Sequence, residues 1–146
     1  MNEIFKLLED KNYWFKKYLA GNEAYALALE HEPEIATDEI DFFYGNRESL
    51  LKIIGSIDKK IQAILGSVAF QNFVPDSEQK TKINYFIREK DSILKRILEL
   101  DEKIMADLEK IRVEGEEKIR NVHKGKKALA KYKSSNKYNE RLNKRV

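Results

Sequence analysis

Apolar residues along this 146-residue chain return every three or four positions in three long stretches, the signature of amphipathic helices. In residues 3–30 the recurring positions are Ile4, Leu8, Phe15, Tyr18, Tyr25 and Leu29, and no alternation of period two suggests a strand. The run "NYWFKKY" packs Tyr13, Trp14, Phe15 and Tyr18 so densely that they cannot all face one core. They either bury on two faces of a bundle helix or leave part of the helix exposed as a partner surface. "HEPEIATD" breaks the pattern, because Pro33 is excluded from a helix interior and Thr37 or Asp38 makes a good N-cap. A second helix is predicted from about residue 38 to 71, with Ile40, Phe43, Arg47, Leu50, Ile54, Ile57, Ile61, Ile64 and Val68 in a heptad-like seam. "NFVPDSEQ" is the next break, where Asp76 and Gln79 have capping-box spacing. A third helix begins near Ser77 and is carried by Ile83, Ile87, Leu94, Ile97, Ile104, Leu108 and Ile111. The predicted fold is all-α, an antiparallel bundle of three long helices.

The seam contains a repeated phrase. "RESLLKIIGSIDKKI" from Arg47 and "KDSILKRILELDEKI" from Lys90 share Ser, Leu, Lys, Ile, Asp, Lys and Ile at matching places. Each opens with a cation and carries an Asp eleven residues later. Helices joined by a short loop pack antiparallel. With the turn centred near residue 74, Arg47 faces Asp101 and Lys90 faces Asp58. Leu51, Ile54 and Ile61 on one side meet Leu94, Ile97 and Ile104 on the other. Two opposite-charge pairs roughly 16 Å apart along the axis penalise the one-heptad slip that a purely apolar seam tolerates. The plainer reading is four solvated flanking charges.

Other chemistry finds little footing. The four charged residues sit at opposite ends of a seam, whereas acid–base catalysis needs perturbed groups gathered in a cleft. His31 and His123 lie far apart, and no His–Glu spacing suggests a metal site. "KGKKA" lacks phosphate-loop spacing and a preceding strand. Neither an enzyme nor a cofactor is expected. With no cysteine, disulfides and thiolate metal sites are excluded. No apolar run approaches the ~20 residues of a membrane span, and "MNEIFKLLEDKN" has no signal-peptide core, so a cytoplasmic location without membrane insertion is expected.

Charge is split along the chain. Residues 118–146 hold 11 Lys+Arg against the single acid Glu140, a net of +10, while residues 1–117 hold 17 Lys+Arg against 24 acids, a net of −7. An acidic body thus carries a basic C-terminal arm. The second helix can accompany the third only to about residue 110, and beyond it the third either extends or folds back as a fourth helix. Gly115 and Gly125 are the candidate hinges. The expected organisation is a bundle over 1–114, a mobile basic helix over 115–133 and a polar, frayed tail over 134–146. Ile119, Val122, Leu129 and Tyr132 form only a thin apolar stripe, so this helix is weakly held and is the expected partner-binding element, with Tyr138 nearby.

"NRESLLKIIGSID", "ILELDEKI" and "HKGKKALAKY" together resemble the flagellar FliT export-chaperone family, with FlgN-type chaperones similar at this level. The resemblance spans roughly residues 35–133, and its most telling part is the Gly-Lys-Lys-x-Leu-x-x-Tyr ending. It implies a small helical bundle that binds the helical C-terminal region of a filament-cap or hook-associated protein and delivers it to the type III export gate and its ATPase components. It also implies a last helix that guards the client groove, and a docking Tyr at Tyr132 or Tyr138. The long first helix and very basic tail depart from the shorter enteric members, so their transcriptional role is not carried over. Two rival readings stand beside it. A structural coiled-coil adaptor needs no client, and the basic arm with its interleaved tyrosines suits nonspecific nucleic-acid binding, which the acidic body opposes. Exposed seams also leave room for a homodimer.

Overall fold

The computed structural model describes residues 1–145, with side chains described for residues 1–130. Its elements are α1 (Asn2–His31), α2 (Pro33–Asp38), α3 (Ile40–Leu65), α4 (Val68–Gln71) and α5 (Ser77–Arg145). Among the described residues there is no strand, and the chain is all-α. It divides into two units, residues 1–107 and 108–146.

Three of the breaks have local causes. Pro33 begins α2 at its first turn, where a missing N–H costs nothing. The expected Thr37 or Asp38 cap does not form. Thr37 instead donates its hydroxyl back to the Pro33 carbonyl, and α3 starts at Ile40 after Glu39, without a side-chain cap. The expected single helix over 38–71 is also cut, at Gly66 and Ser67. Gly66 closes α3 with its N–H on the Gln62 carbonyl, and Ser67 turns extended while its hydroxyl donates to the Ile64 carbonyl. A Ser hydroxyl that satisfies a backbone acceptor locally competes with continuing the helix. Val68, placed in the seam by periodicity, is 82% exposed as a result. The capping box at α5 forms in both directions: Gln79 N–H donates to Asp76 Oδ1 (2.8 Å), and Asp76 N–H donates to Gln79 Oε1 (3.0 Å).

In the first unit α1 and α3 run in opposite directions. Ile4 joins Ile57 and Ile61 at one end, and at the other Tyr25 stacks on Phe43 with ring centroids 3.9 Å apart. The first part of α5 runs alongside α1 in the same direction, with Phe5 beside Phe86 and Glu30 paired with Lys103. Tyr18, Leu50, Ile93 and Ile97 form the central buried cluster. Among the described residues, Phe86, Ile93, Ile97, Leu100 and Ile104 are the buried residues of α5, a stripe rotated from the one its periodicity predicts, and Ile87 of α5 and Leu51 of α3 are exposed. The cause is α1. Packed against both α1 and α3, α5 centres its buried stripe between the two instead of on α3 alone.

Candidate functional site

The polar residues inside the first unit gather around α1. Arg47 and Asp101 come together with Arg47 Nη2 3.0 Å from Asp101 Oδ1, both side chains about four-fifths buried. Arg47 Nε donates to the Tyr18 hydroxyl, and its guanidinium lies over the rings of Tyr18 (4.9 Å) and Phe43 (5.2 Å). Asn22, 0% exposed, donates from Nδ2 to Asp101 Oδ1 at 2.8 Å. Among the described residues its Oδ1 has no hydrogen-bond partner. A carboxylate only accepts, so Asn22 turns its NH₂ toward Asp101.

Asp58 and Lys90 are not brought together. Asp58 is held by Lys11 of α1 at 2.6 Å, and Lys90 lies 3.5 Å from its neighbour Asp91. The hairpin register alone put Lys90 opposite Asp58, but α1 enters the same seam and its lysine reaches the carboxylate first.

A second buried asparagine, Asn12, donates to the Phe86 carbonyl (3.0 Å) and to Glu89 Oε1 (3.2 Å). Partial burial pushes the Glu89 carboxyl upward, but bonds from Tyr85, Lys16 and Asn12 outweigh it and hold the group below its ordinary value. The Tyr25 hydroxyl donates to the Ala36 carbonyl, tying α2 to α1. Burial raises its pKa, and nearby Tyr44 and Glu39 add to the rise. Nothing in the sequence marked Asn12 or Asn22. Their one signal is position, since both lie on the apolar stripe of α1 seven or fewer residues from its buried tyrosines. Among the described residues, no group of three His, Cys, Asp or Glu could hold a metal ion. Nor is any helix among them long and apolar enough to cross a membrane.

Outside this core, α5 presents Ile87, Leu94, Leu98 and Met105, spaced so that they share one helical face. Leu94 touches the central cluster, whereas Leu98 and Met105 are 63% and 68% exposed. By the register that joins Arg47 to Asp101, exposed Leu51 and Tyr44 of α3 come level with Leu98 and Met105. Each of the two helices thus presents exposed apolar side chains, at matching heights along the pair.

In the second unit Ile119, Val122 and Leu129 are all exposed. Gly115 and Gly125 lie in helical backbone, with open space where a Cβ would stand. Tyr132, Tyr138 and the tail 134–146 lie outside the residues whose side chains are described.

Fold and site together define an all-helical protein with a polar-clamped core and an exposed apolar row. Comparison with protein-family models, curated proteins and solved structures finds no match.

Proposed function

We propose that this chain is a cytoplasmic helix-binding chaperone of the type III flagellar export kind. In this reading α1, α3 and the first part of α5 work as an antiparallel three-helix bundle. The row formed by Tyr44, Leu51, Leu94, Leu98 and Met105 is the groove that takes the client. The client is the amphipathic C-terminal helical region of a filament-cap or hook-associated protein, and the complex is handed to the export gate and its ATPase components. The observation that carries the reading is the solvent exposure of large side chains at helical spacing on two adjacent helices. Such a row is the receiving half of helix-in-groove recognition. Covering it shields apolar surface on both partners, so neither self-assembles early. The sequence resemblance supports the choice of client class.

Co-purification with a filament-cap or hook-associated protein tests it. The expected result is a stable complex whose affinity falls roughly tenfold or more with Leu98→Asp or Met105→Asp, a loss of about 1.4 kcal/mol. Both residues are exposed, so the free protein should melt as before. Full binding by both variants would place the client elsewhere.

A further inference from the structure

The negative charge of the first unit is not spread over it. Residues 1–107 carry 15 Lys+Arg and 20 Asp+Glu, yet Glu30, Glu32, Glu34, Asp38, Glu39 and Asp41 fall in one stretch, residues 30–41, that holds no Lys or Arg. Without that stretch the unit holds 15 Lys+Arg against 14 acids, close to neutral. All six acids are exposed, and among the described residues only Glu30 has an ion-pair partner.

This acidic stretch borders an apolar cleft of about 240 Å³ between α1 and α3. Gly21, Ala24 and Ala28 form its α1 wall, Phe42 and Asn46 face them from α3, and Glu39 stands at its end. The α1 residues share one face and are small, which leaves a trough able to receive apolar side chains. Phe42 is 79% exposed, a large apolar group with no cover.

The same chain contains a segment with the opposite chemistry. Residues 118–146 carry 11 Lys+Arg and one acid, and Ile119, Val122 and Leu129 recur on one exposed helical face. A basic amphipathic helix and an acidic, apolar cleft complement each other in both charge and polarity.

We infer that the basic C-terminal helix of one copy docks in the α1–α3 cleft of a second copy, its apolar face against Phe42 and its lysines beside the acids of residues 30–41. Docking between copies leaves α5 as it is. The surface differs from the proposed client row, so this association does not rest on the chaperone reading.

Sedimentation of the full chain, nuclease-treated, tests the inference across protein concentration at about 50 mM and about 500 mM salt, conditions that differ several-fold in screening length. Self-association is expected at low salt and its loss at high salt. Glu34→Lys/Asp38→Lys/Glu39→Lys and Lys124→Glu/Lys126→Glu/Lys127→Glu should each raise the dissociation constant at least tenfold, with unchanged helical content by circular dichroism. Mixing the two charge-reversed proteins should restore association, because each supplies the partner the other lost. Phe42→Ser should weaken association without a change in the salt dependence. A wild-type monomer at low salt overturns the inference. So does association that survives both charge reversals, or a mixture that stays monomeric.

Discussion

Arg47 occupies a position that an apolar residue could have filled, and its surroundings explain how a charge is tolerated there. Two aromatic faces cover the guanidinium, a carboxylate neutralises it and a phenol accepts its Nε–H. Removing one partner of such a pair leaves the other uncompensated, which costs more than the pair itself contributes. We expect Asp101→Ala to destabilise by roughly 2–3 kcal/mol and a double-mutant cycle on Arg47 and Asp101 to show coupling of about 1 kcal/mol or more. A parallel cycle on Lys90 and Asp58 should read near zero, while Lys11 and Asp58 should show about 0.5 kcal/mol, as befits a pair whose carboxylate is still open to water. Denaturant titrations of the single and double variants decide all three. Glu89 makes a pH prediction. Its pKa is depressed in the folded chain, so it contributes stability that is fully present above the unfolded value of about 4.3 and is lost as pH falls through the lower folded value. The stability gap between wild type and Glu89→Gln should therefore be constant from pH 7 to about pH 5 and close below about pH 4. A gap that widened with acid would contradict the assignment.

The elements differ in how much of them was written locally. The start of α5 was legible to the residue, since a capping box depends only on Asp76 and Gln79 three positions apart. Asp76→Ala should cost about 1 kcal/mol, read as a melting shift of about 3 °C. The end of α3 was not legible, because Gly66 and Ser67 are individually compatible with a helix and apolar spacing continues through them to Val68. The buried face of α5 was only partly legible. Ile97 and Ile104 were identified, but Phe86, Ile93 and Leu100 were not, because they face a helix some eighty residues earlier in the chain. That distinction can be measured on one helix. Ile104→Ala should lose about 3 kcal/mol by opening a cavity, whereas Leu98→Ser, six residues away and exposed, should lose less than about 0.5 kcal/mol. Comparable losses at both would mean that the exposed row is packed in solution.

For the whole molecule, composition and periodicity alone determined an all-α chain, long helices punctuated near Pro33 and Pro75, the Arg47–Asp101 meeting and the separation of charge between an acidic body and a basic arm. These follow from local rules: helical spacing, the missing N–H of proline, the length of a hairpin turn and simple counting. Only the tertiary structure decided what α1 does. It takes Asp58 from Lys90, buries Asn12 and Asn22 on an otherwise apolar stripe, turns the core face of α5 and leaves Leu98 and Met105 uncovered. Two helices can be registered from one turn between them. A third helix can join that pair in several orientations whose choice depends on packing against both partners at once, and such a three-body preference leaves no periodic trace in the sequence.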